Sequence, residues 1–459
     1  MEPLHIISRE THEHRQPPKT NGVKRYLIWT IGCQMNEAES AKVEAILSAS
    51  GYQATDAEDE ADIIILNSCV VRQAAEDKVR GRIGSLVRAK RQNPDLKIGV
   101  TGCLVTGQQE RLSAQYPHVD LFFEPSEFDR LVEIAPEAGS VDVDLAELPH
   151  YYESETGDPR VTAFVPIIYG CNFVCSYCIV PYRRGREVSR PFDEIVSEVA
   201  RLAAEGVREV TLLGQTVNAY GHDLDEDRDL ADLLVAVDAI PGIERLRFLT
   251  SHPKYFNDKL VEVMAALPGV CEHVNLPVQA GDNEVLRRMR RTYTNEMYRE
   301  RIEMIRATIP GVTLSTDIIV GFPGETDAQF QATLELVNDI AFDKVHVAMY
   351  SPRPGTLSAR WDDDIPHAVK HGRHQAIEAA QAQISAERFR LLRDTTREVL
   401  VDGHSRGRWR GRTRGNQLVF FDATGDWTGQ FVDVHITDTM TWYALGEPVT
   451  LREPDRTSA

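Results

Sequence analysis

At 459 residues the chain is long enough for two or three domains with separate cores. Its 42% apolar and 26% charged residues are ordinary for a globular protein, and no apolar run of about eighteen residues argues for a membrane span. A net charge of −19 speaks against a uniformly basic nucleic-acid-binding surface but leaves room for a local patch.

Residues 1–23, with Glu10, His12, His14, Arg15, Pro17 and Pro18, lack an apolar signal core and read as a disordered polar tail. A cytoplasmic location with no membrane association is therefore expected. Residues 24–135 alternate strand and helix patterns: a strand at 26–31, a helix at 37–50, a buried strand at 63–67, a helix at 74–92 and a strand at 97–101. Such alternation predicts a parallel α/β sheet domain. Residues 136–160 carry Glu137, Asp142, Asp144, Glu147, Glu153, Glu155 and Asp158 with two prolines, and read as an acidic linker. Residues 161–396 repeat strand and helix, with strands expected at 163–169, 209–213, 245–249, 273–276, 313–320 and 344–349. These βα units predict an open, partial (β/α)6 barrel, in which functional groups gather at the carboxyl ends of the strands. A long helix around 371–396 leads into residues 397–452. Their alternating pattern, punctuated by Gly and Asp, predicts a small antiparallel β-barrel.

The seven cysteines, in a chain with no secretory signal, do not suggest disulfides. Buried apolar thiols are the plain reading, but the positions decide against it. Cys171, Cys175 and Cys178 follow the first barrel strand within the stretch YGCNFVCSYCIVP. Three close thiolates can wrap one corner of an iron–sulfur cube, whereas ordinary clusters use four. The iron left open can take a substrate. A zinc site would want a fourth ligand. The C-x3-C-x2-C spacing resembles the signature of radical S-adenosylmethionine (SAM) enzymes, in which the open iron chelates SAM and its reductive cleavage gives a 5′-deoxyadenosyl radical. Cys33, Cys69 and Cys103 each lie at or just past a predicted strand end. In a parallel sheet those ends share one edge, so the three either converge on a second cluster or are unrelated core thiols. Cys271 reads as a half-buried structural thiol.

Further stretches make the resemblance specific. They are GCQMN at 32–36, CIVPY at 178–182 with RGRE at 184–187, LGQTVNAY at 213–220, TSHPK at 250–254, NLPVQ at 275–279, TDIIVGFPGET at 316–326 and GRTRGN at 411–416. On these the chain resembles the methylthiotransferase family of radical SAM enzymes over nearly its whole length, and most closely the branch that modifies tRNA. The resemblance implies a C-terminal RNA-binding TRAM domain. It also implies two 4Fe-4S clusters, an auxiliary one on Cys33, Cys69 and Cys103 and a SAM-coordinating one on Cys171, Cys175 and Cys178. Two SAM molecules per turnover are implied: one methylates a sulfur carried by the auxiliary cluster, and the other supplies the radical. The implied reaction is methylthiolation at C2 of N(6)-isopentenyladenosine, at position 37 of the tRNA anticodon loop. The chemistry is consistent, since an aromatic C–H offers no acidic proton and no leaving group. An electron donor such as flavodoxin or ferredoxin and a sulfur source complete the implied partners. Two departures from the family pattern stand out: Leu104 to Gly107 (LVTG) after Cys103, and Glu124 where a glycine is usual.

Around the cofactor, Gln215 and Asn218 follow the second barrel strand, Gln279 the fourth, and Asp317 lies in the fifth. Each is a candidate for SAM, against the alternative of a plain turn or core polar residue. Arg183, Arg184, Arg186 and Arg190 either meet phosphate or the SAM carboxylate, or form a solvated run. Arg406, Arg408, Arg410, Arg412 and Arg414 recur with period two, so an extended strand projects them from one face as a phosphate-binding stripe, with Trp409 opposite. A charged edge that blocks aggregation is the alternative. Arg287, Arg288, Arg290 and Arg291 are a weaker extension of that surface. Three other functions stand beside tRNA isopentenyladenosine methylthiolation. One is the same chemistry on threonylcarbamoyl-adenosine, and another is the same chemistry on a ribosomal-protein aspartate. The third is a non-enzymatic iron–sulfur RNA-binding or redox-sensing module, which would need neither a six-unit barrel nor an open iron. The arginines favour RNA.

Overall fold

A computed structural model describes residues 22–71, 73–140, 161–405 and 407–451. The tail up to residue 21, most of the expected acidic linker (141–160) and Arg406 lie outside the described residues. The chain divides into two compact units, the first taking in Ile179–Gly185 as well as the N-terminal region.

The first unit runs β1 (Arg25–Thr30), α1 (Gln34–Ala49), β2 (Gln53–Ala54), β3 (Ile63–Ser68), α2 (Gln73–Gln92), β4 (Lys97–Gly102), α3 (Gln109–Gln115) and β5 (Leu121–Phe122), joined by the short α4 (Val180–Arg184). Its sheet is parallel with order β2-β1-β3-β4-β5. Isoleucine-rich β3 is buried along its whole length, as a central parallel strand covered on both faces must be. The two-residue edge strands β2 and β5 carry too short a pattern to be seen in the sequence. The chain reverses its direction of strand addition between β1 and β3. In open α/β sheets the crevice outside the carboxyl ends at such a reversal is where ligands sit.

The second unit opens with β6 (Thr162–Pro166) and the hairpin β7 (Ile168–Tyr169) with β8 (Val188–Ser189). It continues α5 (Phe192–Ala204), β9 (Glu209–Leu213), α6 (Leu230–Asp238), β10 (Arg245–Phe248), α7 (Asp258–Ala266) and β11 (His273–Asn275). Then come α8 (Asn283–Arg288), α9 (Asn295–Thr308), β12 (Thr313–Val320), α10 (Asp327–Ile340), β13 (Lys344–Met349) and α11 (His367–Arg390). Strands β6, β9 and β10 pair in parallel, as do β11, β12 and β13, and a bridge from Leu246 to Val270 carries the wall between the two sets. The six-strand partial barrel expected from the repeats is thus present. The first expected strand is broken after Pro166, and α11 ends at Arg390 rather than continuing to residue 396.

The chain then forms a closed barrel from β14 (Thr396–Ser405), β15 (Arg408–Thr413), β16 (Leu418–Phe421), β17 (Phe431–Thr439) and β18 (Ala444–Leu451). Its closing pair, β16 with β18, is parallel, so the barrel is not antiparallel throughout. The intervening β17 returns the chain before β18 closes the ring. Val399, Val401, Val419, Phe421, Val432, Val434 and Ile436 fill its interior.

Candidate functional site

Two glycines shape the edge of the first sheet. Gly32 has φ +152° and Gly102 has φ +90°. A Cβ on Gly32 would lie 2.9 Å from the Cβ of Cys69, and one on Gly102 2.6 Å from the backbone N of Ser68. Only a residue without a side chain allows both approaches. Each glycine directly precedes a cysteine, so the loops bearing Cys33 and Cys103 fold down onto the end of β3, where Cys69 stands. The Cys103 N–H donates to the Ser68 carbonyl at 2.9 Å. A buried asparagine pair fixes the other side. Asn36 Nδ2 donates to Asn67 Oδ1 (2.9 Å) and to the Ser68 carbonyl (3.1 Å), and Asn67 Nδ2 returns a bond to the Asn36 carbonyl at 2.7 Å.

The three thiols therefore converge, as expected. Burial, with Cys33 and Cys103 close by, pushes the Cys69 thiol up to about 12, and burial also raises that of Cys103. A buried thiol cluster of this kind stays protonated until a metal takes the proton's place. Among the described residues no three His, Cys, Asp or Glu side chains are gathered tightly enough for one metal ion. Three thiols brought from three loops suit an iron–sulfur cube, whose corners take one thiolate each.

Arg184 completes this site. Its Nε donates to Cys103 Sγ at 3.1 Å, and its Nη1 pairs with Glu39 of α1 at 2.6 Å, both side chains being buried. Arg183 Nη1 donates to the Thr106 carbonyl at 3.1 Å. Arg190 pairs with buried Glu198 at 2.6 Å. These three are not a solvated run, and Arg186 is the exposed member of the set. In the loop after Cys103, the Gly107 N–H donates to the Glu124 carboxylate at 3.0 Å.

In the second unit, Cys171, Cys175 and Cys178 lie on the irregular loop between β7 and α4. Side chains from distant strands suture it. Cys171 Sγ meets Thr216 Oγ1 at 3.4 Å, and Arg291 Nη1 donates to Cys175 Sγ at 3.4 Å. Glu187 accepts from both the backbone N (3.1 Å) and Nδ2 (2.9 Å) of Asn172. Ser176 Oγ donates to the Arg288 carbonyl at 2.8 Å, while its own carbonyl accepts from the Ser358 N–H at 2.8 Å. Phe173 stacks on His252 with ring centroids 3.8 Å apart and planes 11° from parallel. Arg291 was expected on an RNA-facing surface with Arg287, Arg288 and Arg290; it is instead half-buried at the cysteine loop.

The four SAM candidates separate. Gln215 Oε1 is buried with no hydrogen-bond partner among the described residues, on the loop whose next residue, Thr216, meets Cys171. A ligand amine would satisfy it. Asn218 is occupied otherwise: its Nδ2 donates to the His252 carbonyl (3.0 Å) and its Oδ1 accepts from the His252 N–H (2.8 Å). That pair braces the TSHPK turn. Gln279 has φ +73°, and its backbone bonds to the Asp317 carbonyl and the Ile319 N–H at the end of the barrel strands. Asp317 is half-buried in β12.

The arginine stripe is partly neutralised. On β15, Arg408, Arg410 and Arg412 point away from the barrel interior while Gly411 and Thr413 are buried, and Trp409 packs toward the core as the period predicts; Arg408 is exposed, whereas Arg412 is half-buried with its Nη1 3.4 Å from the Asn416 carbonyl and lies near buried His273. Carboxylates from neighbouring segments meet them: Asp422 lies 3.4 Å from Arg408 and Asp402 3.0 Å from Arg410. Arg414 lies beyond the strand and donates to Glu272 and to the Val270 carbonyl (2.7 Å), so it joins the small barrel to the (β/α) wall. Arg245 and Arg247 do the same from the other side. Arg245 donates to the Arg412 carbonyl (2.6 Å) and to Glu398 (3.0 Å). Arg247 donates to the carbonyls of Arg414 (2.6 Å) and Thr413 (2.9 Å) while paired with Glu209. Cys271 is fully rather than half buried beside Arg247.

Three thiols on one loop at the head of a six-strand parallel wall match the arrangement expected of a radical SAM domain. Residues 165–337 match the model of the Radical SAM superfamily, residues 25–124 that of the Uncharacterized protein family UPF0004, and residues 390–449 that of the TRAM domain. The chain is 49% identical to the tRNA-2-methylthio-N(6)-dimethylallyladenosine synthase of Chloroflexus aurantiacus, over 93% of this chain and 91% of that one. Proteins of the same name from Herpetosiphon aurantiacus (47%, covering 92% and 97%) and Dictyoglomus thermophilum (45%, covering 94% and 99%) are similar over comparable lengths. The chain belongs to the methylthiotransferase family of radical SAM enzymes. A solved radical S-adenosylmethionine methyltransferase, TsrM from Kitasatospora setae, superposes with a TM-score of 0.52 at 15% identity, over 73% of this chain and 77% of that one, and shares the fold.

Proposed function

We propose that this protein is a tRNA methylthiotransferase that attaches a methylthio group to C2 of N(6)-isopentenyladenosine at position 37, in the anticodon loop. The observation that carries the reading is the presence of two separate thiol trios, each at the carboxyl edge of a parallel sheet and each one ligand short of a closed cluster. Cys171, Cys175 and Cys178 hold the cluster that binds SAM, and Cys33, Cys69 and Cys103 hold the auxiliary cluster. When bound, these groups supply a primary carbon radical able to take hydrogen from an aromatic C–H, and a sulfur atom to replace it. The chain's own residues position them. Gln215 accepts from SAM, with Gln279 and Asp317 as further contacts. The outward arginines Arg408, Arg410 and Arg412, with Arg406, meet phosphate. A loop nucleotide suits such an enzyme because it leaves its stack at little cost.

The names of the relatives favour the isopentenylated base over threonylcarbamoyl-adenosine and over a ribosomal-protein aspartate. A functional division at 24–135, 161–396 and 397–452 accompanies this reading. So do a small redox protein such as flavodoxin or ferredoxin as electron donor and a cytoplasmic location; no described helix is long and apolar enough to cross a membrane. The test is mass spectrometry of tRNA nucleosides from a strain lacking the protein. The methylthiolated nucleoside should vanish and N(6)-isopentenyladenosine accumulate. Unchanged levels of the methylthiolated form would end the substrate assignment.

A further inference from the structure

The geometry points to Arg184 as a positioning residue that sets the reduction potential of the auxiliary cluster through its hydrogen bond to Cys103. The inference rests on the assignment of Cys33, Cys69 and Cys103 as cluster ligands. Arg184 is the last residue of α4, six residues beyond Cys178 (184 − 178). Its side chain is nonetheless buried in the first unit, 7% exposed, with Nε 3.1 Å from Cys103 Sγ. Glu39, 3% exposed, holds the guanidinium from the other side at 2.6 Å and projects from α1, the helix that starts at Cys33. Glu39 Oε2 and Arg184 Nη2 have no further partner, so no wider network buffers a change in either charge. The burial raises the stakes of both charges, because a lone buried ion is costly. A solvated arginine would not need an internal carboxylate, and a merely structural ion pair would not need its Nε on a ligand sulfur.

Reduction adds one electron and one negative charge to a cluster without making or breaking a bond. A donor N–H on a ligand sulfur and a nearby cation stabilise the reduced form and raise the potential. Glu39 opposes the cation and holds the potential down. The Cys175 loop has a counterpart in half-buried Arg291 at 3.4 Å, so each trio carries an arginine on one sulfur.

The experiment is an EPR-monitored redox titration of the anaerobically reconstituted full chain in a Cys171→Ala, Cys175→Ala, Cys178→Ala background, which isolates the auxiliary signal. Arg184→Gln should shift the reduction equilibrium about tenfold toward the oxidised form, about 59 mV for a one-electron couple. Arg184→Lys, which keeps the charge, should shift it less, and Glu39→Gln should shift it in the opposite direction. A potential unmoved by Arg184→Gln, or Arg184→Gln and Glu39→Gln moving it the same way, overturns the inference. So does loss of iron in both Arg184 variants with Glu39→Gln unchanged in potential, which would leave Arg184 a packing role. If the background protein itself takes up no iron, the ligand assignment fails and this inference falls with it. An iron-loaded background with an unmoved potential refutes the inference alone.

Discussion

Replacing Gly102 with alanine separates the two clusters in one step. At φ +90° an L side chain is strained by about 1–3 kcal/mol. The new Cβ would also sit 2.6 Å from the Ser68 backbone N, on a central strand that cannot move aside as a flexible side chain can. Overpacking of that kind adds about 1–3 kcal/mol. The sum, about 2–6 kcal/mol, is a large part of the stability of an ordinary domain. It is also applied at the bond that seats Cys103 on the Ser68 carbonyl. Gly102→Ala should therefore lose auxiliary iron and methylthio product while still cleaving SAM, as measured by iron content, EPR and release of 5′-deoxyadenosine. The control is Gly81→Ala in α2, where a Cβ meets nothing within 4 Å; it should keep both clusters and stabilise the fold by about 0.5–1 kcal/mol. A Gly102→Ala protein with full auxiliary iron and normal product would refute the claim that this glycine positions Cys103.

Cys175→Ser should abolish SAM cleavage, whereas Cys69→Ser should spare cleavage and stop sulfur insertion; methylthio product from the Cys69 variant would remove the auxiliary assignment. Arg408→Gln with Arg410→Gln should reduce the slope of log affinity for tRNA against log salt by about 1.4, at about 0.7 per single-strand phosphate contact. Arg414→Gln should leave that slope alone and lower the melting temperature instead, because it unpairs Glu272 at a screened cost of about 1 kcal/mol. Burial, with Arg247, Arg412 and His346 nearby, holds the His273 ring neutral, its pKa lowered to about 3. That value lies below the unfolded one near 6.5, so the neutral ring's contribution is complete above pH 6.5 and is lost as pH falls toward 3. Between pH 7 and 5 the loss is about 2 kcal/mol. Urea unfolding at the two pH values should show this drop in the parent and a smaller one in His273→Gln; equal drops would refute it.

The cysteine geometry was legible because the chain writes it locally. Cys171, Cys175 and Cys178 share one loop, so their spacing already implies proximity. Cys33, Cys69 and Cys103 are far apart in sequence, but each stands at the end of a strand whose apolar pattern is plain, and parallel pairing brings such ends together. The glycine before Cys33 and the one before Cys103 are the signal that the loops close tightly. What pattern could not show is the support behind the sulfurs. Asn36 in the first turn of α1 and Asn67 in β3 are joined side chain to side chain, and their bond exists only once that helix docks on the end of the strand. Asn218 follows a strand just as Gln215 does. The difference between a brace and an unpaired acceptor lies in where the His252 turn happens to pass.

The arginines show the same limit more sharply, because a guanidinium takes its role from whatever carboxylate or carbonyl the fold delivers. Period two correctly put Arg408, Arg410 and Arg412 on one face and Trp409 on the other, since strand geometry alone decides that. It could not foresee Asp402 and Asp422 arriving from neighbouring segments, nor Glu272 claiming Arg414. Arg184 and Arg291 sit in runs of basic residues that look solvated, yet each turns inward onto a cysteine sulfur. In an acidic chain, most arginines that fold inward will find a carboxylate. The ones that matter for chemistry are those whose remaining N–H bonds reach a cysteine sulfur rather than a carboxylate or a backbone carbonyl. By that criterion Arg184 and Arg291 belong with the cysteines they touch, and Arg414 belongs with the architecture.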